Sequence, residues 1–585
     1  MTLSTTRAGK RFAAVLALFV LGVTSGRMTA TAAAQGGRIA PKVEIPWNRY
    51  YDYAELLDIM DRLRAAYPQF VRLEDIGRTY EGRTMRVLVL TNEATGKDRD
   101  KVGMWVDGNV HGNEVQGAEA ALYLAWWLLE KYDTNERARA LLDRRVFYLL
   151  PSQNPDGRDY WFHAPNTAHS SRSSKKPRDD DRDGLFDEDG YDDLNGDGEI
   201  TQMRKRVPLG TGTHRVNRDD PRVLERITGD QLGDYVMLGN EGIDNDGDGR
   251  INEDAPGFYD MNRNWPSDWQ PQHIQWGAGA YPLSHPETRA IAMYLLDHPN
   301  IAAVQSFHNA GGMILSGPGS ESVSYPAADV RVYDEMGGDG EKILPFYRHL
   351  IIWKDLYTTH GAFTWAYEGL GIFTFSNELW SGSQYYNAPG GANGDQRAEY
   401  ADHVLLDDIL LPWEAVEHPL YGEVEVGGYK REHGRVAPSF MIEEMLHRNA
   451  MFCVMHAEEI AEVEAEALRI ESLGGDVWRV RAAFRNTQTM PTRSALSGEK
   501  GIGVPDRVSI RGEHVDIVAG GRVRDRWRDE RIALADDHPN PLRLEYGVPS
   551  RGRIEVAWIV RGSGDVVVSY EADKADGVQI GGTLR

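Results

Sequence analysis

The feature that most constrains this chain is a series of short, mostly apolar runs separated by helical patterns. The runs fall at residues 102–107, 146–150, 301–307 and 372–377. Each is strand length, and too apolar to leave one face in water. Helical periodicity occupies 118–129, 287–297, 343–353, 400–417 and 438–465, with an amphipathic helix at 52–66 and further β-rich runs at 70–75 and 85–91. Strands buried on both faces and joined through helices form an α/β fold: a mixed, mostly parallel twisted sheet flanked by helices. Beyond about residue 466 the period changes to two, in runs such as Asp476-Val-Trp-Arg-Val-Arg and Asp565-Val-Val-Val-Ser-Tyr. Turns rich in Gly and Pro separate them, which predicts an all-β sandwich over 466–585.

The first residues read differently. Arg7, Lys10 and Arg11 precede an apolar stretch from Phe12 to Val23, and Ala30-Thr-Ala-Ala-Ala follows. This predicts a secretory signal over 1–34, cleaved near Ala34, and a secreted mature chain, periplasmic or extracellular, whose α/β domain covers 35–465. The apolar stretch is short for a membrane span, and none is expected in the mature chain. The net charge of −24 argues against nucleic-acid binding, which requires a basic face. Cys453 stands alone, so no intrachain disulfide forms; its apolar setting predicts a buried structural thiol.

Three strand ends carry chemistry. The run at 102–107 continues into Asn109-Val-His111-Gly-Asn-Glu114, the run at 301–307 closes on His308, and the run at 372–377 closes on Glu378. In open α/β sheets, ligands collect at the carboxyl ends of strands. Two His and one carboxylate make a catalytic zinc set that leaves a position for water. Glu378 is placed to take a proton from that water.

At this point the chain resembles the zinc carboxypeptidases, the funnelin family that includes the pancreatic carboxypeptidases, over roughly residues 45–460. His111-Gly-Asn-Glu114 resembles the family's first ligand pair, and Asn154-Pro-Asp-Gly the segment after its next strand. Asn262-Arg263-Asn264-Trp265 resembles its carboxylate clamp, and His308 its third ligand. Gly361-Ala-Phe-Thr-Trp365 with Phe375-Ser-Asn-Glu378 resembles its specificity loop and glutamate strand. The resemblance implies a zinc metallocarboxypeptidase acting on peptide or protein C-termini. His111, Glu114 and His308 would hold zinc, Glu378 would be the general base, and Asn262 with Arg263 would grip the terminal carboxylate. Tyr357 would cap the substrate, and Phe363 would set an apolar side-chain preference. Arg172 or Arg204 would stabilise the oxyanion, Arg172 being preferred. Other members hydrolyse cell-wall peptides or acyl-amino acids on the same zinc. A reading of another class is a non-catalytic, calcium-dependent binding protein.

An insertion over 170–255 carries one motif three times. Asp179, Asp181, Asp183 and Asp187 alternate before and after a Gly; so do Asp193, Asn195, Asp197 and Thr201, and Asp244, Asp246, Asp248 and Asn252. Alternating oxygen donors around a sharp turn are what a calcium loop requires. No copy has a Glu at the twelfth position, so the loops resemble those of dockerins and thrombospondin repeats rather than EF-hands. Residues 179–199 and 241–254 together hold −15 of the −24 net charge, which bound cations would offset.

Overall fold

The computed structural model describes residues 40–359, 361–381, 394–406, 409–524, 532–535 and 538–585. Residues 1–34, where the sequence predicts a signal, lie outside the described residues. From Lys42 onward the chain forms one compact unit.

Its centre is an eight-stranded sheet. In chain order the strands are β1 (Val71–Arg78), β2 (Thr84–Leu90), β3 (Val102–Gly108), β4 (Arg145–Leu150), β5 (Ile301–Asn309), β6 (Met313–Ser316), β7 (Arg348–Ile351) and β8 (Phe373–Leu379). Their spatial order is β1-β2-β4-β3-β5-β8-β6-β7. The four central strands β4, β3, β5 and β8 run parallel, and β1, β2 and β6 introduce the antiparallel pairs. Every residue of β3, β4 and β5 is buried, as expected for strands covered on both faces. Residues from the helices Tyr53–Ala66, Gln116–Lys131 and Ile442–Glu458 fill the core on one face. Ile291, Ala292 and Leu295 of the helix Pro286–Asp297 fill the other.

Local signals explain these boundaries. Asp52 caps the helix Tyr53–Ala66 and Glu55 closes the capping box. The helix Gln116–Lys131 lies against β3 because Gly108 faces Gly117. A Cβ on Gly108 would stand 2.6 Å from the Gly117 backbone. That close approach sets Glu114, at the head of the helix, over the end of β3.

Two predicted helices are corrected. Residues 343–353 contain β7 and a short helix, Ile352–Asp355, because the preceding helix already ends at Ile343. Residues 400–417 contain a single π-helical turn at Ala401–Leu405 and then the strand Leu410–His418. Pro412 cannot sit inside a helix, but it is tolerated on this strand, which is an edge. The strand pairs with Gly422–Tyr429, and four strands from the insertion complete a second, six-stranded sheet. The insertion is therefore more than Asp-rich loops.

The C-terminal region holds a five-stranded and a four-stranded sheet around their own core, which includes Trp478, Phe484, Trp558 and Tyr570. It is tied to the α/β unit at a buried point. Asp329 is 1 % exposed and accepts from Tyr367 Oη at 2.6 Å and from the amides of Ala495 and Leu496 at 3.0 Å. Cys453 is free and fully buried, and burial pushes its thiol well up. Among the described residues no helix is long and apolar enough to cross a membrane.

Candidate metal centre and substrate crevice

The neighbouring strands β3, β5 and β8 end side by side, and the turn after β3 folds back over their tips. Asn109 shapes that turn. It adopts φ 57°, and its Nδ2 donates to the carbonyls of His111 and Gly112 at 2.8 and 3.2 Å. Ser152 and Arg158 donate to its Oδ1. Gly112 is required by what crosses above it: a Cβ there would lie 2.2 Å from the Ser171 carbonyl oxygen, and its N–H donates to Arg172 O at 3.1 Å. The His-Gly-Asn-Glu spacing thus admits the segment that carries Arg172.

His111, Glu114 and His308 converge. One nitrogen of each imidazole and one carboxylate oxygen lie within 4.8 Å of one another, all on buried residues. His111 Nδ1 and His308 Nδ1 each stand 2.9 Å from a different oxygen of Glu114. His111 Nδ1 is buried and makes no hydrogen bond. A pair of imidazoles and a carboxylate with an orphaned nitrogen between them matches the N/O donor set that zinc takes. Burial opposes the charge on Glu114, yet the two imidazoles hold its carboxyl well below the usual range.

Glu378 stands in register with His308 across the β5–β8 pair. Burial, then the nearby Glu114 charge, pushes its carboxyl up to about 7, against the pull of His308, Arg435 and Arg172. Arg172 reaches the centre: Nη1 lies 3.1 Å from Glu114 Oε1 and Nη2 lies 3.4 Å from Asp260 Oδ2. Arg204 does not. It is held on the second sheet by Glu425, with its guanidinium over Tyr235 and Trp413. Of the two arginines left open by the sequence, the structure brings Arg172 to the crevice.

Asn262 and Arg263 sit on the single turn Met261–Arg263. The Asn262 amide oxygen packs where a Cβ on Gly361 would stand, 2.3 Å away. Arg263 is anchored by the preceding carbonyl: Nη1 donates to Asn262 O at 3.0 Å. Tyr357 is 47 % exposed and its ring centre lies 5.7 Å from the Arg263 guanidinium. Phe363 is only 3 % exposed, packed with Leu315 and Ile352.

Two residues at the centre were not anticipated. Asp260 receives His111 Nε2 at 3.2 Å and, through Oδ1, the amide of Asn262 at 2.8 Å. Burial opposes its charge, but Arg263, His111 and Arg172 hold its carboxyl well below the usual range. Its only sequence signal is its place two residues before Asn262. Arg435, on the loop after Gly422–Tyr429, puts Nη2 3.2 Å from Glu114 Oε1, while its carbonyl accepts from Asn309 Nδ2 at 2.8 Å. No local pattern announces it.

The acidic loops are placed together in part. Asp179, Asp181 and Asp183 of the first and Asp244, Asp246 and Asp248 of the third lie in neighbouring loops, and Asp181 groups with Asp246 and Asp248. Asp187 accepts from Arg178 N at 3.1 Å. Asp193, Asn195 and Asp197 form a separate loop closed on its own amides.

Comparison with known sequences decides the family. A zinc carboxypeptidase model matches residues 56–203 and 238–393. The chain belongs to the zinc carboxypeptidase family. Residues 462–581 match a domain of unknown function. Carboxypeptidase B of Astacus astacus is 33 % identical over 116 residues, covering 20 % of this chain and 36 % of that protein. Carboxypeptidase Z of Mus musculus is 34 % identical over 109 residues, covering 18 % and 17 %. The chain thus spans well under two thirds of these relatives. The crystal structure of thrombin activatable fibrinolysis inhibitor is 18 % identical with a TM-score of 0.45, covering 72 % of this chain and 77 % of that one.

Proposed function

We propose that this zinc carboxypeptidase family member is a secreted metallocarboxypeptidase that hydrolyses the last peptide bond of its substrates. The convergence of His111, Glu114 and His308 beside Glu378 carries the reading. A zinc ion held by those three residues would supply Lewis acidity and bring a water's pKa to about 7. Glu378 takes the proton of the attacking water and passes it to the leaving amine nitrogen. Arg172 donates to the oxyanion that develops as the carbonyl is attacked. Asp260 fixes the tautomer of His111 through Nε2 and holds Arg172 in place. Arg263, with the amide of Asn262, grips the terminal carboxylate; a planar guanidinium suits that bidentate task. Tyr357 covers the bound terminus, and the cluster around Phe363 favours an apolar last side chain.

The test compares wild type with Glu378→Gln for zinc content and for turnover of peptides with free and amidated C-termini. Retained zinc with turnover lost in the variant, and cleavage of free termini only, supports the reading. Equal cleavage of amidated peptides would defeat it. Phe-ending against Lys-ending peptides checks the apolar preference.

The Asp-rich insertion supports a second, structural metal. We infer calcium there, since acidic groups of oxygen donors are what a hard cation takes. Calcium should raise the melting temperature and slow proteolysis within 170–255, and a zinc-sparing calcium chelator should reverse both.

A further inference from the structure

The first and third Asp-rich loops adopt one conformation and face each other. Asp187 and Asn252, at equivalent places, take φ 54° and 60°; Gly184 and Gly249 take 99° and 93°. Each loop ends in Asp-Glu-Asp or Asn-Glu-Asp, and the last Asp of each turns into the other loop. Asp254 accepts from the amides of Asp180 at 3.0 Å and Asp187 at 3.2 Å. Asp189 accepts from Asn245 Nδ2 at 3.3 Å. The carboxylates follow the same exchange. Asp254 groups with Asp179 and Asp181, while Asp189 groups with Asp246 and Glu253.

A separate observation points to a ligand. Asp189 is 1 % exposed, and its Oδ2 has no hydrogen-bond partner among the described residues. Its carboxyl lies within 4.8 Å of donors from Asp246 and Glu253. On the half-buried Glu188 and Glu253, no N–H or O–H of another group reaches either carboxylate oxygen. Glu188 lies beside Asp254, and Glu253 beside Asp189. Buried carboxylates stacked on one another without N–H donors are costly unless a cation stands between them.

The middle loop has none of this. Its buried counterpart, Glu241, already accepts from Leu194 N at 3.1 Å, Thr201 N at 2.7 Å and the Thr201 hydroxyl. Among the described residues it forms no group of three acids.

We propose that loops 179–189 and 244–254 bind two calcium ions as one interlocked pair, each ion's cage being completed by the last aspartate of the opposite loop, and that this pair fastens together the segments delivering Arg172 and Asp260. The middle loop binds none. This deepens the calcium reading above and rests on it. The chain enters the first loop from Arg172 through residues 173–178 and leaves the third toward Asp260 through residues 255–259. Those two segments already touch: Ser174 N donates to Tyr259 O at 2.9 Å, and the Arg178 guanidinium lies 3.1 Å from the Phe258 ring centre.

Calorimetric titration of calcium chloride into the calcium-stripped full chain tests the pairing. The expected result is two ions per chain. Asp189→Asn and Asp254→Asn should each weaken both binding steps by about tenfold or more, because each cage borrows from the other loop. Asp193→Asn should leave stoichiometry and affinity unchanged. Should a ligand variant fail to fold, the wild-type stoichiometry and Asp193→Asn still decide. Three ions per chain, or an Asp193→Asn loss matching that of Asp189→Asn, would overturn the pairing while leaving calcium binding intact. Absence of binding would sink the calcium reading itself. Amide hydrogen exchange reads the fastening without substrate: calcium should slow exchange in 173–178 and 255–262 by about tenfold or more. Unchanged exchange there in the two-ion state would overturn that half.

Discussion

The crevice and the paired Asp-rich loops both gather acidic groups, but they handle the charge in opposite ways. In the crevice, Glu114 and Asp260 are met by Arg172, with Arg435 on Glu114 and Arg263 near Asp260. These groups hang from strand ends and from a turn locked by Asn109. In the loops, twelve acidic side chains share only Arg182 and Arg250 within the loops themselves, with Arg178 beside Asp180 at 2.5 Å, and several carboxylate oxygens are buried with no donor. The first region has its charge met by arginines of the chain; the second leaves that role to the cations proposed above. Charge compensation, rather than charge itself, separates the two regions.

The largest test of that contrast is Glu378→Gln. Because the other groups stay compensated, zinc content and melting temperature should hold while kcat falls about a thousandfold; an unfolded or zinc-free variant would break the claim of compensation. Arg172→Met should lower kcat about a hundredfold. Circular dichroism should show the fold intact, because Arg435 still faces Glu114. If KM alone rises, Arg172 serves binding and not the oxyanion.

Stability measurements sharpen the same contrast. Gly112→Ala forces a Cβ to within 2.2 Å of the Ser171 carbonyl, and should cost about 2 kcal/mol in denaturant unfolding. That loss should be the same with and without calcium. Calcium-stripped protein, by contrast, should gain melting temperature with added sodium chloride, since salt screens the uncompensated loops; calcium-loaded protein should gain less. Equal salt slopes would erase the distinction.

A smaller effect provides a control remote from both regions. His456 is fully buried, with neither ring nitrogen hydrogen-bonded, and burial holds its pKa down to about 3. The unfolded chain therefore binds the extra proton between about pH 3 and 6.5, so stability falls as pH drops through that window. His456→Leu should flatten this acid limb in pH-dependent denaturation. A limb of unchanged slope would assign the acid sensitivity elsewhere.

How much of this was legible in the sequence varied with the range of the interaction. β3, β5 and β8 were readable because strands buried on both faces must be almost wholly apolar, so the polar residues ending them stand out. His111, Glu114, His308 and Glu378 were found that way. Arg172 was chosen over Arg204 by resemblance, and only the fold put Arg204 beneath Trp413 and Glu425. The strand Leu410–His418 was read as a helix because its partners, Gly422–Tyr429 and the insertion, decide its state more than its own composition does. Asp260 and Arg435 act through contacts made across long separations, which no local period encodes.

Sequence by itself determined which residues sit in the core and which polar groups must stand at strand ends, since burial without hydrogen-bond partners is too costly to vary with context. It also determined that three loops could turn as oxygen-rich hairpins, because Asp and Gly spacing is a local backbone property. Tertiary structure alone decided which arginines reach Glu114, and which Asp-rich loops share their carboxylates. Those choices depend on distances between segments far apart in the chain, and distance between charges is what sets their energy.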